Sequence, residues 1–271
     1  MEYKVDSIIS SGNGIWNEDA LICSHSIFGV IDGVTPVHNL KYQGYNTLTE
    51  WMVKNFLYKF DELYILDADY KCICKNFIER MGKDKYIAGL EGYDKPCFTS
   101  ATVTILNDKI KCEVLGDSYI HIKKKNGDLV EITDDRVDLY AGKTVDVIEN
   151  AKLNNSNTEE AIKNQKIENQ KMMNVKGGYW VVAFKGNFES EFIVAEFPIK
   201  DIDKILICTD GFQRLQKEFS LLDMKQILDG DISLEDALSM LRNFENANFL
   251  KKGYPCVKKS DDAAAIMIKF N

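Results

Sequence analysis

Ile205-Leu206-Ile207-Cys208-Thr209-Asp210-Gly211 is an apolar run that ends in Asp-Gly. The same pattern stands near the other end of the chain, where Ile27-Phe28-Gly29-Val30-Ile31 runs into Asp32-Gly33. A short apolar run rich in Ile and Val and closed by a turn pair reads as a buried strand. One Asp-Gly closing one strand is ordinary turn chemistry. The recurrence is less ordinary. Asp117 follows Val114-Leu115-Gly116, and Asp261-Asp262 stand just before the apolar run 263–270. Glu18-Asp19 stand just before Ala20-Leu21-Ile22-Cys23. Carboxylates gathered at strand ends repel one another and lose hydration, and a cation that neutralises them makes the gathering tolerable. An all-oxygen donor set selects a hard cation, Mg2+ or Mn2+. Gly after Asp lets the backbone come close and offer its carbonyl.

Outward from these runs, further strands are expected at 3–10, 101–106, 111–115, 119–123, 179–184 and 191–197. Asn107-Asp108 and Asn126-Gly127-Asp128 supply turn chemistry between them. A helix is expected from about 40 to 63, where Trp51, Phe56, Leu57, Phe60 and Leu63 recur at helical spacing. Others are expected at 69–81, 220–229 and 233–250, the last opened by Ser233 with Asp236 three residues on. Residues 134–172 read as polar and helical, broken by the loop Asn154-Asn155-Ser156-Asn157. Strand runs interrupted by helix pairs imply an α+β fold with mostly antiparallel sheets. No domain boundary stands out, and 134–175 is the candidate insertion or mobile subdomain.

Composition excludes several classes. With 271 residues, 45% hydrophobic and 28% charged, the chain can bury a sizeable core and is not a disordered polymer. Its net charge of −8 argues against a nucleic-acid binder, and the basic runs Lys123-Lys124-Lys125 and Lys251-Lys252 are short and far apart. The 7 cysteines (Cys23, Cys72, Cys74, Cys97, Cys112, Cys208 and Cys256) form no CxxC and mostly sit in apolar runs, as in a reducing compartment. No apolar run is long enough to span a membrane, and the opening Met1–Asp6 is not a signal peptide, so a cytoplasmic location is expected. His25, His38 and His121 lack metal-motif spacing; His121 reads as an exposed strand residue and His38 as a surface residue at a helix start. No nucleophile elbow, phosphate-cradling glycine loop or dinucleotide fingerprint occurs. Ser11-Gly12-Asn13-Gly14 is only a flexible loop, and Ser100 has no evident base.

Taken in order, the acidic segments resemble those of the PP2C (PPM) family of metal-dependent protein phosphatases. The resemblance rests on Asn17-Glu18-Asp19-Ala20, Val30-Ile31-Asp32-Gly33, Thr99-Ser100-Ala101-Thr102, Leu115-Gly116-Asp117-Ser118, Cys208-Thr209-Asp210-Gly211-Phe212 and Ser260-Asp261-Asp262. Each motif is short, but their order over nearly the whole chain is specific.

The resemblance implies one domain over 1–271, a sandwich of two antiparallel β-sheets flanked by helix pairs, with 134–175 as a flap. It implies Asp19, Asp32, Asp210 and Asp261 as metal ligands, with the Gly33 carbonyl, Glu18 acting through water, and Asp117 at a third, weaker metal. Asp32, Asp210 and Asp19 would be the catalytic carboxylates. Two Mg2+ or Mn2+ ions would bridge a water and aim it at phosphorus. The implied substrate is a protein carrying phosphoserine or phosphothreonine. Three departures are visible. Residues 11–16 hold no basic residue where the family often has a phosphate-binding Arg. Val34 stands where many members have His. Arg214 stands where a carboxylate often follows. Arg214 and Arg136 are therefore the candidates for holding phosphate. Two alternatives fit these departures: a catalytically weak module that binds a phosphorylated partner, and a small-molecule phosphatase on the same scaffold.

Overall fold

Residues 263–270 build two layers at once. Ala264, Ile266 and Ile268 face one hydrophobic core while Ala263, Ala265 and Met267 face another, and all are buried. Alternation with both faces apolar marks a strand covered on both sides. The computed structural model describes residues 2–271 apart from 13, 35, 39, 155, 156 and 252–257. Asn13, Asn155, Ser156, Lys252 and Cys256, singled out above, thus lie outside the described residues.

The strands are β1 (Tyr3–Ser10), β2 (Ala20–Ser24), β3 (Ile27–Val34), β4 (Cys97–Ile105), β5 (Lys109–Leu115), β6 (Tyr119–Lys124), β7 (Leu129–Ile132), β8 (Ile193–Pro198), β9 (Ile202–Cys208) and β10 (Ala263–Phe270). The helices are α1 (Leu48–Leu66), α2 (Tyr70–Met81), α3 (Lys85–Ala88), α4 (Asp138–Leu153), α5 (Thr158–Lys171), α6 (Asp210–Gln213), α7 (Met224–Asp229) and α8 (Leu234–Asn248). Among the described residues the strands form two antiparallel sheets, ordered β1-β10-β9-β6-β7 and β2-β3-β4-β5-β8. The inner faces meet through Val30, Val103 and Val114 on one side and Ile122, Ile207 and Ile266 on the other. α1 and α2 cover the outer face of the second sheet, with Phe56, Phe77 and Ile31 in one core. α7 and α8 cover the outer face of the first, with Leu228, Leu241 and Leu206. The structure is thus the expected α+β sandwich of two antiparallel sheets flanked by helices.

Several expectations need correction. The helix expected from 40 starts only at Leu48, because Gln43 (φ 48°) and Gly44 (φ 87°) take left-handed backbone and Thr47 then caps, accepting from the Glu50 amide at 2.8 Å. Residues 179–184 are not a strand. β5 pairs with β4 only as far as Ser100↔Leu115, so the start of β4 offers a short free edge, and Val182 fills it through a single bridge to Phe98. His121 is buried, its Nε2 2.9 Å from the Gln213 Oε1, because α6 packs over that face of β6. His38 starts no helix; its ring meets Asp94 at 2.7 Å. The six described cysteines form no disulfide. Among the described residues no helix is long and apolar enough to cross a membrane.

Phe56 is fully buried, with ring centroids of Phe77 and Phe98 at 5.1 and 5.2 Å. Phe56→Ala should cost about 3–5 kcal/mol of stability, read as a lower urea midpoint with little change in slope.

Candidate active site

Four strands deliver carboxylates to one edge of the sandwich. Asp19 stands immediately before β2, Asp32 lies near the end of β3, Asp210 opens α6 directly after β9, and Asp261 and Asp262 stand immediately before β10. Asp117 follows β5 after the turn at Gly116, whose φ of 83° suits glycine. Asp32, Gly33, Asp117, Asp210 and Asp261 line one cleft of about 540 Å³. Its far wall comes from α4 and α5 through Tyr140, Val145, Ile162 and Lys166.

The carboxylates are held from behind. The Thr209 hydroxyl donates to Asp19 at 2.8 Å and accepts from the Ala264 amide at 3.0 Å, which ties β9, β10 and the Asp19 loop together. Thr47, at the start of α1, donates to Glu18 at 2.6 Å. Asp262 accepts from the Gly12 amide at 2.8 Å and the Glu18 amide at 2.6 Å, so it clamps the first acidic loop. The Gly33 amide donates to the Glu18 carbonyl at 3.1 Å, and a Cβ at Gly33 would meet that oxygen at 2.6 Å.

Crowding shifts these groups upward. Burial, then Asp210 and Asp19, raises Asp32 well above the usual carboxylate range. Burial, then Asp262, raises Asp19, with the Thr209 hydrogen bond partly offsetting it. Burial, then Asp210, pushes Asp117 up to about 7. Burial, then Asp261, raises Asp210. An excess of carboxylates with too little positive charge is the electrostatic condition that a hard cation relieves. Among the described residues no three His, Cys, Asp or Glu side chains are already posed around one ion. The Lys258 ammonium is ion-paired with Asp261 and supplies part of the missing positive charge. The donor set, all oxygen and clustered at the strand ends, fits Mg2+ or Mn2+ chemically.

The two arginines are placed differently. Arg214 is buried behind Asp210, its Nη1 2.7 Å from Glu245 and its guanidinium 4.9 Å from the Phe219 ring centroid. Glu245, fully buried, also takes Arg242 at 2.8 Å. Arg136 donates twice to Asp134 at 2.7 Å and to the Glu191 carbonyl at 2.7 Å. Asp134 in turn accepts from the Gly116 amide at 3.2 Å, so Arg136 braces the turn that carries Asp117. Neither arginine lines the cleft, whereas Lys166 and Lys258 do. Sequence reasoning singled out neither lysine, nor Thr209 or Asp262 as site residues. Thr209 and Asp262 sit inside the motifs and carried a signal; Lys166, one of several lysines in a largely polar helix, carried none.

Residues 11–239 match the family model described as protein phosphatase 2C. No curated protein sequence matches the chain significantly. Among solved structures, the serine/threonine phosphatase Stp1 from Staphylococcus aureus superposes with a TM-score of 0.60 at 14% identity, over 100% of this chain and 96% of that one. The Mycobacterium tuberculosis phosphatase PstP/Ppp gives 0.56 at 16%, over 99% of both chains. PppA, a regulatory component of the T6SS in Pseudomonas aeruginosa, gives 0.58 at 16%, over 99% and 98%. The catalytic domain of PstP was solved in complex with 2 manganese ions and gives 0.55 at 15%, over 98% and 97%. At these identities the likeness is one of fold.

Asp32→Asn removes one mutually repelling charge. In chelator-treated protein it should stabilise the fold by about 0.5–2 kcal/mol in urea unfolding, as is common when a site strained for function is relaxed.

Proposed function

Because the chain belongs to the protein phosphatase 2C family, we propose that it is a metal-dependent phosphomonoester hydrolase acting on phosphoserine or phosphothreonine in proteins. The observation that carries this reading is the convergence of Asp32, Asp117, Asp210 and Asp261 on one cleft, with Asp19 buried behind it. Asp19, Asp32, Asp210 and Asp261 would hold two divalent cations, Mg2+ or Mn2+, with the Gly33 carbonyl, and Asp117 a third, weaker one. Bound there, such cations supply Lewis-acid activation of water and charge neutralisation. Support for two cations comes from the PstP catalytic domain, solved with manganese.

The chain's own residues do the rest. Thr209 and Thr47 orient Asp19 and Glu18 by donating to them. Asp262 fixes the loop that carries both. Gly33 allows the β3 backbone to lie against the Glu18 carbonyl, where a side chain would separate the two. The segment 134–175 supplies α4 and α5, the wall facing the carboxylates.

Para-nitrophenyl phosphate hydrolysis is the first test, with Mn2+, with Mg2+ and with chelator. Turnover should require metal and fall by at least about 100-fold in Asp32→Asn and Asp210→Asn, the scale on which loss of a positioned catalytic group acts, while circular dichroism stays unchanged. Phosphopeptides should be turned over with higher kcat/KM than phosphometabolites. The reverse order would assign a small-molecule phosphatase, and metal binding without any turnover would assign a phospho-recognition module.

A further inference from the structure

A phosphoryl dianion at this edge of an acidic protein needs cationic donors beyond the metals. The two arginines nearest the carboxylates are committed elsewhere: Arg214 to Glu245 at 2.7 Å, and Arg136 to Asp134 at 2.7 Å. Among the described residues lining the cleft, the basic ones are Lys166 and Lys258. They reach it from different walls, Lys166 from α5 and Lys258 from the segment before β10. Lys166 forms no salt bridge with any described residue. Among the described residues Lys258 is ion-paired with Asp261, and it keeps half its side chain exposed.

Lys166 loses hydration in the cleft and is repelled by Lys258, so an anion beside it relieves both costs, while Lys258, exchanging Asp261 for such an anion, can reach the same ligand. The position of Lys258 is also built. Arg214 Nη2 donates to the Lys258 carbonyl at 3.3 Å, so the buried Arg214–Glu245 pair anchors the backbone that presents this lysine.

From this geometry we propose that Lys166 and Lys258 form the phosphate clamp of the site, gripping the phosphoryl oxygens from opposite walls, with Arg214 as a positioning residue behind Lys258. The inference rests on the phosphatase reading for its substrate, but its ligand, a phosphate oxyanion, can be measured without turnover. It makes α5 part of the substrate site: a phosphorylated residue seated at the carboxylates is also held by the helix across the cleft.

The test uses the full-length protein with Mn2+ and inorganic phosphate as the probe, by calorimetry and by competitive inhibition of para-nitrophenyl phosphate hydrolysis. Lys166→Ala should weaken phosphate binding and raise KM by about tenfold each, the scale of one lost charge-assisted hydrogen bond, with kcat changed far less and Mn2+ affinity unchanged. Lys166→Arg should recover most of the phosphate affinity. Lys258→Ala should also weaken phosphate binding without weakening Mn2+ binding; a lysine that merely neutralised Asp261 would leave phosphate affinity intact. Phosphate affinity unchanged in both alanine variants, or lost together with Mn2+ affinity in Lys166→Ala, overturns the clamp while leaving the phosphatase reading standing. No turnover by the wild type, with phosphate binding that still depends on Lys166, keeps the clamp and removes the phosphatase reading. Wild-type protein that binds no phosphate overturns the clamp.

Discussion

Mutual repulsion among buried carboxylates governs this edge of the molecule. Asp19, Asp32, Asp117 and Asp210 all sit where burial raises their pKa, and neighbouring carboxylates push each of them further. A fold selected only for stability would not bring them together, because each desolvated charge needs a partner. The surrounding residues answer that demand. Thr209 and Thr47 donate hydrogen bonds to Asp19 and Glu18, Lys258 pairs with Asp261, and the Gly12 and Glu18 amides donate to Asp262. What remains is a deficit of positive charge, local and directional, in an otherwise ordinary sandwich.

The basic residues near this edge divide by chemistry. Arginine's planar fork makes several fixed hydrogen bonds at once and suits buried pairing. Here Arg214 and Arg242 share the buried Glu245, and Arg136 straps Asp134 to the β8 side. Removing Glu245 would strand two guanidinium groups, so this network is structural in the strict sense that its parts are interdependent. Among the described residues Lys166 and Lys258, compact point charges on flexible stems, are the cations that line the open cleft.

The sandwich was legible because its strands are short apolar runs closed by turn pairs, and β3, β9 and β10 carry that signal in their own residues. The order of acidic motifs likewise pointed to the carboxylate edge. What could not be read was anything decided by a partner distant in sequence. Residues 179–184 have strand-like composition, but β4 leaves them only a short free edge. His121 lies on a strand whose one face α6 happens to cover. The arginines were visible as charges near motifs, yet their direction depends on Glu245 and Glu191, 31 and 55 residues away. Lys166 was hidden for the same reason: only the packing of α5 across the cleft from β3 gives it a role.

The cleft therefore has two halves with different origins. Its carboxylate half is fixed by β2, β3, β9 and β10, whose ladders and shared hydrogen bonds leave little freedom to move one ligand without the others. Its other half is lined by Val137, Tyr140, Val145 and Ile162, side chains of α4 and α5 and of the turn before them. These helices are tied chiefly to each other, through Asn169 to the Tyr140 carbonyl at 3.0 Å and to Thr144 at 3.1 Å. In the proposed clamp a phosphoryl group meets the second half at Lys166, and the remaining, mostly apolar lining of that half is available to whatever carries the phosphate. Substitution in α4 and α5 can thus alter what the site accepts while the carboxylate edge, held by the sheets, keeps its chemistry.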